Sequence, residues 1–367
     1  MEEKKYNCAV IGCGRIGSLL EDDKLRCHPC THAGAYFTHP KTKLIAGCDI
    51  KPDRLKYFGK KWSVSENSLY FDYRKLLERK DIEILSIAAD TEFHFQMLKD
   101  ALTCPNIIAI LLEKPVVAKV EEAIELEEIV KNSKKKIFVN HERRFMTEYK
   151  FVKKIIEEER YKKLKTIIGN VLTSGIKEDW HSDWRKSGGG PLLHDGTHLI
   201  DIMTYFAGDI DYLIGYVRFP ENRRKYQVEV SAFASLHFKN GIISFIEASG
   251  DREYFNFELD LQFENGRIKI GNGIWEVNEV KPSRRYENFF DLVPATVNVP
   301  QTKPFFTEVI DDIILAIEND DYKAISTIYD GLNDFWIIMN IYYSGLNNNQ
   351  KIRLPFKVKK HPFEILD

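Results

Sequence analysis

Short apolar runs that stop abruptly at polar residues mark the first part of the chain. The clearest is Ile107 to Leu112, six apolar residues in a row that read as a strand buried on both faces and end at Glu113, Lys114 and Pro115. Cys8 to Ile11, Lys43 to Asp49, Ile82 to Ala89 and Ile137 to Val139 repeat the theme. Between them, Phe95, Met97, Leu98 and Leu102, and then Val120, Ala123, Ile124 and Ile129, recur at helical spacing. The alternation predicts a doubly wound parallel sheet, with its helices, over residues 1–142. Ligands of such sheets bind beyond the carboxyl ends of the strands, so Glu113 and Lys114 are expected to face a cofactor. Pro115 restricts Lys114 and permits a cis bond before it.

After Phe145 the pattern changes, and residues 143–367 read as a second domain. A helix is expected over Glu148 to Glu158 and a strand over Thr166 to Thr173. Val228, Val230, Ala232, Ala234, Leu236 and Phe238 then alternate up to a hairpin at Asn240-Gly241. Phe255, Phe257, Leu259, Leu261 and Phe263 alternate up to Asn265-Gly266, and Ile268 and Ile270 return. The result is an open, mostly antiparallel sheet, giving an α/β chain overall. Its apolar face is expected to lie under helices such as His198 to Phe206 and Phe305 to Ile317, whereas Asn256, Glu258, Asp260 and Gln262 face water or another subunit. Asp330 to Tyr343 reads as a last helix and Lys351 to Phe356 as a closing strand.

The 367 residues, 44% hydrophobic and 12% aromatic, suffice for two real cores. With 53 basic and 55 acidic residues, no net field recruits nucleic acid or an anionic membrane, so a small molecule is the expected partner. No apolar run reaches membrane-spanning length, and the start, MEEKKYNCAVIG, enters a strand without a signal-peptide core, so a cytoplasmic protein is expected. All six cysteines lie between Cys8 and Cys104, scattered as in a reduced domain rather than a disulfide framework.

Gly12, Gly14 and Gly17, with Cys13, Arg15 and Ile16 between them, have the GxGxxG spacing that lets backbone approach a pyrophosphate. A second test is an acidic residue about twenty positions on, holding ribose hydroxyls. Asp49, beside Ile50, comes 32 residues after Gly17, and treating Ser18 to Cys30 as a 13-residue insertion reduces this to 19. A carboxylate there repels a 2′-phosphate, favouring NAD over NADP, although Lys51 and Arg54 soften the preference. Ala88, Thr91 as an N-cap, and His94 in the next helix lie toward the nicotinamide side. Thr31 is expected to cap a helix running through His39. Cys27, His28, Cys30 and His32 are metal-ligand types, but no second CxxC exists, and no metal is expected.

In the second domain, Trp184-Arg185 precedes Gly188-Gly189-Gly190, a loop open to close ligand approach beside a fork of donors. His194, Asp195, His198 and Asp201 follow, and on one helix His194, His198 and Asp201 would share a face. The HxxxH spacing lacks an adjacent Glu and an obvious third ligand, so a catalytic or substrate-holding pair is preferred to zinc.

Glu113-Lys-Pro115, Trp184-Arg185, Gly188 to Gly190 and Asp195-Gly-Thr-His198-Leu-Ile-Asp201, in this order, make the chain resemble the glucose–fructose oxidoreductase, inositol dehydrogenase and rhizopine-catabolism (Gfo/Idh/MocA) family from Cys8 through Pro355. The resemblance implies a Rossmann domain, a nicotinamide cofactor, a sugar, polyol or nucleotide-sugar substrate, and a homodimer or homotetramer built on the open sheet. It also implies that Lys114 and His198 are the lysine and histidine of the two motifs. The chain departs from the family where His194 occupies the position usual for aspartate, where Ala89-Asp90 replaces Thr-Pro, and in the Ser18–Cys30 insertion. Whether His194 or Asp195 completes the catalytic set stays open.

Alcohol oxidation needs a base for the hydroxyl proton, and an imidazole titrating near ~6.5 suits His198 as base and acid. Lys114 would hold the same oxygen, or act as the base itself once desolvated. Asn140, His141, Arg144, Trp184 and Arg185 are candidates to orient substrate. Two other classes stay open: glycoside cleavage or elimination through transient oxidation, and a redox-silent sensor of sugar or nucleotide.

Overall fold

A computed structural model describes residues 4–174, 182–301 and 303–366. Met1 to Glu3, the start of the expected N-terminal stretch, lie outside the described residues. The chain forms two compact units. One holds the residues through Val117, Glu121–Met146 and Lys303–Leu332, and the other holds Ala118–Val120, the stretch from Thr147, and the chain from Asn333 onward.

In the first unit six strands are β1 (Tyr6–Ile11), β2 (Thr42–Cys48), β3 (Leu69–Tyr70), β4 (Ile84–Ile87), β5 (Ala109–Leu112) and β6 (Lys136–Val139). All pair in parallel in the order β3-β2-β1-β4-β5-β6. Helices α1 (His32–Thr38), α2 (Pro52–Trp62), α3 (Tyr73–Leu77), α4 (Thr91–Leu102) and α5 (Val120–Lys131) connect them. Every residue of β4 and β5 is buried, which is why these strands read as unbroken apolar runs rather than alternations. Because the strands are parallel, Gly12, Asp49, Ala88, Glu113-Lys114 and Asn140-His141 all emerge at one edge of the sheet.

The second unit opens with α6 (Thr147–Glu157) and β7 (Leu164–Leu172), followed by the short α7 (Trp184–Ser187) and α8 (Pro191–His194) and by α9 (Gly196–Ala207). Strands β8 (Ile210–Arg218), β9 (Ser231–Phe238), β10 (Ile243–Ser249), β11 (Asn256–Phe263), β12 (Gly266–Gly271), β13 (Ile274–Pro282) and β14 (Phe290–Pro294) follow. Both expected hairpins form, β9–β10 across Asn240-Gly241 and β11–β12 at Asn265-Gly266. Among the described residues, only β7 and β10 pair in parallel within this sheet. Asp260, expected on a wet face, is instead buried and accepts from Arg267 Nε at 2.8 Å. On one face Ile168, Phe245 and Ile214 fall in a cross-strand row through Ser235, with Tyr216 beside Phe233, and the four are exposed.

Helix α10 (Phe305–Glu318) corrects both the expected boundary and the expected cover of the antiparallel sheet. Phe306, Val309, Ile310 and Ile313 join Tyr36, Phe138 and Phe145 in the core of the first unit. Each such side chain contributes on the order of 2 kcal/mol by leaving water, and an apolar stripe alone does not specify which sheet it covers. Polar ties reinforce the placement, with His39 Nε2 3.0 Å from Asp311 and Lys41 Nζ 2.9 Å from Glu318. Helix α11 (Ile328–Leu346) and β15 (Ile352–Arg353), which pairs with β8, end the fold. Among the described residues no helix is long and apolar enough to cross a membrane.

Candidate active site

The glycine turn leaves β1 at Gly12, whose φ of 91° is open to glycine, and a Cβ there would lie 2.4 Å from the Ala88 carbonyl oxygen. A Cβ on Gly17 would come 1.8 Å from the Gly12 carbonyl oxygen, so the turn can close only on glycine. Gly14 would meet nothing but the Arg54 guanidinium. Asp49 braces this turn: its carboxylate accepts from Cys13 N at 2.9 Å and Lys51 N at 2.8 Å. Arg54 Nη1 lies 3.9 Å away. Ile50 and Arg15 are exposed beside it. Ile16 is half-buried and Ala88 lines the turn.

Ser18 to Cys30 is an excursion from the helix that should follow the glycines. The chain makes a short 3₁₀ turn over Leu19–Asp22 and returns at Thr31. His32 N and Ala33 N then donate to the carbonyls of Ile16 and Gly17 at 3.2 and 3.0 Å, so the helix resumes across the gap. Thr31 caps α1 through Gly34 N, as its sequence suggests, with the helix running over His32–Thr38.

Glu113 is buried, and one carboxylate oxygen accepts from Asn140 Nδ2 at 2.6 Å and lies 2.8 Å from His32 Nε2. The other ring nitrogen of His32 meets Ser86 Oγ at 2.9 Å, which in turn meets Tyr36 OH at 2.8 Å. Burial alone would raise the Glu113 pKa. His32, Lys114 and Asn140 outweigh it and hold the carboxyl below its ordinary value. Glu113, expected at the cofactor, thus anchors the turn from within, and Lys114, half-buried, leads out of it across a cis bond to Pro115. His32 was legible only as a metal-ligand type and Ser86 not at all, because a single buried polar pair leaves no period in a sequence.

His94 is buried, its ring nitrogens 2.8 Å from the Pro115 carbonyl and 2.9 Å from that of Ala89, so it bridges the exits of β4 and β5. Burial pushes its pKa down. Thr91 is buried as the first residue of α4, one position past the N-cap Asp90, which makes no side-chain cap. Ser326 Oγ donates to the Val139 carbonyl at 2.9 Å and therefore accepts from His141 Nδ1, also at 2.9 Å. Arg144 Nη1 donates to the Ile325 carbonyl and to Asp330, each at 2.9 Å, which gives this guanidinium a structural task within the first unit.

In the second unit the expected shared face of His194, His198 and Asp201 is interrupted. His194 ends α8, Asp195 is the joint, and His198 and Asp201 belong to α9. His194, Asp195 and His198 are half-buried, whereas Asp201 is buried. Arg185 Nε lies 3.0 Å from Asp183 Oδ1 and its guanidinium sits 3.4 Å over the Tyr226 ring. The pair holds the Asp183 carboxyl below its usual range. Trp184 stacks on His361 with centroids 4.6 Å apart. His361 Nε2 donates to the Gly188 carbonyl at 2.8 Å and Nδ1 accepts from Phe363 N, and burial pushes its pKa down to about 4.

The glycine run is seated on Glu229. Its carboxylate accepts from Gly190 N at 2.8 Å, Leu192 N at 3.1 Å and Tyr342 OH at 2.7 Å, the cap that α8 otherwise lacks. Cβ atoms on Gly189 and Gly190 would lie 2.5 Å from Tyr342 OH and 2.7 Å from the Glu229 carbonyl oxygen. Nothing in the sequence marked this acid as buried, because Glu229 falls on the polar phase of the alternation that runs through Val228, Val230 and Ala232.

The first unit fits NAD: a turn that tolerates no Cβ at Gly12 or Gly17, a carboxylate at the end of β2, and an exposed apolar Ile50 beside it are what a pyrophosphate, a ribose and an adenine require. A family model described as the oxidoreductase family, NAD-binding Rossmann fold, matches residues 6–141, and one described as the GFO/IDH/MocA C-terminal domain matches residues 149–269. The chain is 29% identical over 211 residues to the uncharacterized oxidoreductase YrbE of Bacillus subtilis, covering 56% of this chain and only 54% of that relative. It is 23% identical over 265 residues to D-glucoside 3-dehydrogenase of Escherichia coli, covering 68% and 71% of the two. The fold is that of levoglucosan dehydrogenase in complex with NADH, with a TM-score of 0.79 at 17% identity over 96% of this chain and 100% of that one. Turn, sheet order and both matched halves agree: the chain belongs to the Gfo/Idh/MocA family of NAD-binding oxidoreductases.

Proposed function

We propose that the protein is an NAD-dependent dehydrogenase or reductase acting on a secondary hydroxyl or keto carbon of a sugar, polyol or nucleotide-sugar. The observation that carries this reading is the position of Lys114, half-buried where β5 leaves the same sheet edge as the glycine turn and Asp49. D-glucoside 3-dehydrogenase and levoglucosan dehydrogenase, both similar to this chain, support a carbohydrate substrate.

NAD, when bound, supplies the acceptor for the hydrogen that leaves the carbinol carbon with its electron pair. His198 takes the hydroxyl proton on its imidazole, and the carbon–oxygen double bond forms as the O–H and C–H bonds break. Lys114 donates to the same oxygen and stabilises its developing negative charge. Asn140, His141, Trp184 and Arg185 orient the ring hydroxyls, with His194 or Asp195 completing the proton relay. In reduction each group acts in reverse. A second copy covers the exposed Ile168, Phe245, Ile214 and Tyr216 of the open sheet.

The test is incubation of the full chain and NAD with a panel of sugars and polyols. Net NADH formation is expected. Products without NADH would assign transient oxidation instead, and a ligand-dependent rise in melting temperature without product would assign a sensor.

A further inference from the structure

The excursion between Gly17 and Thr31 gathers three different metal-ligand types. Glu21 Oε1 lies 3.2 Å from His28 Nδ1, which lies 3.7 Å from Cys30 Sγ, and the three donor atoms fall within 4.8 Å of one another. Zinc bonds of about 2.0–2.1 Å to nitrogen and oxygen and about 2.3 Å to sulfur, at tetrahedral angles, put such donors about 3.3 to 3.6 Å apart. Two of the three pairs are within about 0.1 Å of these spacings, and the third pair lies within 4.8 Å.

Each ligand is also held by a partner of the kind that orients metal ligands. His28 Nε2 lies 3.0 Å from the Asp23 carbonyl, which can only accept, so Nε2 keeps its proton and Nδ1, facing Glu21 and Cys30, is the nitrogen open to a cation. The other oxygen of Glu21 accepts from Cys30 N at 3.1 Å and Thr31 Oγ1 at 2.6 Å, leaving Oε1 for the cluster. That carboxylate sits where Gly34 has no side chain, since a Cβ there would be 2.3 Å from Oε2. Cys30 is buried, and the half-exposed His28 leaves an entry path from solvent.

We propose that Glu21, His28 and Cys30 form a zinc-class divalent-cation site, with water as the fourth ligand, that rigidifies the excursion beside the glycine turn. Binding replaces the Cys30 Sγ–H proton, now donated to the Leu20 carbonyl at 3.2 Å, with a sulfur–metal bond, and the proton leaves to solvent. The negative Glu21, which disfavours a bare thiolate next to it, favours the cation. His32 is not a ligand, since both its ring nitrogens are engaged by Ser86 and Glu113.

The test uses the full chain, stripped by chelator and titrated with zinc or cobalt. About one zinc retained per chain and a thiolate-to-cobalt charge-transfer band are expected. His28→Ala and Cys30→Ser should each weaken zinc binding by roughly 100-fold or more, and Cys27→Ser should leave it unchanged. If Cys30→Ser does not fold, His28→Ala, at a partly exposed position, still decides. Absence of both retained zinc and the cobalt band in the intact chain would overturn the site, leaving an imidazolium–carboxylate pair as the reason for the contacts. Metal that follows Cys27 rather than Cys30 would overturn it equally.

Discussion

Tyr342 donates to Glu229 at 2.7 Å inside the second unit, and the same carboxylate caps the glycine run that leads to His198. Burial pushes the Glu229 pKa from 4.5 up to about 7, against the pull of Tyr342, Leu192 N and Gly190 N. The folded chain therefore holds a proton that the unfolded chain releases between these values. The resulting stability is fully present below pH 4.5 and lost as pH rises through about 7. Relative to Glu229→Gln, the wild type should lose on the order of 3 kcal/mol between about pH 5 and about pH 8, measured by urea unfolding. A difference that does not change with pH would refute this.

His361 acts in the opposite sense. Its pKa is pushed down to about 4, so folding favours the neutral ring, and stability falls as pH drops from 6.5 toward 4. His361→Gln should flatten that acid limb by on the order of 3 kcal/mol, at the expense of the Trp184 stack at neutral pH. Thermal melts across the acid range will show whether the limb follows this residue.

Lys114→Ala should bind NAD within a few-fold of the wild type and lose turnover by roughly 100-fold or more, because the groups that hold the nucleotide lie on other strands. Lys114→Arg, which keeps charge without the ammonium's compact reach, should recover little. Unchanged turnover in Lys114→Ala would remove this residue from the mechanism.

Gly12→Ala combines a φ of 91° with a methyl 2.4 Å from the Ala88 carbonyl oxygen. The glycine turn must shift, and NAD affinity by calorimetry should fall by roughly 100-fold, with a stability loss of about 1–3 kcal/mol. Near-native affinity would mean that the turn does not hold the pyrophosphate.

Phe245→Asp with Tyr216→Asp places two charges on the exposed face of the open sheet. Sedimentation should show an oligomer for the wild type and a monomer for the double variant. A wild-type monomer would remove the proposed interface.

The parallel sheet was legible because β4 and β5, buried on both faces, leave unbroken apolar runs, and the excursion was legible from the distance between Gly17 and Asp49. The partner of α10 was not, since its stripe suits either sheet, and only packing against Tyr36 and Phe145 decides. The joint at Asp195 was missed because i, i+4 spacing presumes a continuous helix. His94 lies in the first turn of α4, which follows β4, and Glu113 directly follows β5. What their neighbours demand of them, carbonyls for one and an imidazole for the other, is a tertiary fact.

Two amide–carbonyl bonds, from His32 to Ile16 and from Ala33 to Gly17, close the excursion at its base like the knot of a lariat. Beyond that knot the excursion bonds to α2, with Ser18 Oγ accepting from Trp62 Nε1 at 2.8 Å, and among the described residues its polar bonds reach no strand. Closure entropy grows by only about 0.6 kcal/mol for each doubling of length, so lineages can lengthen, trim or refit this noose cheaply. It is the point at which an old nucleotide-binding scaffold can acquire fresh chemistry without disturbing a single strand.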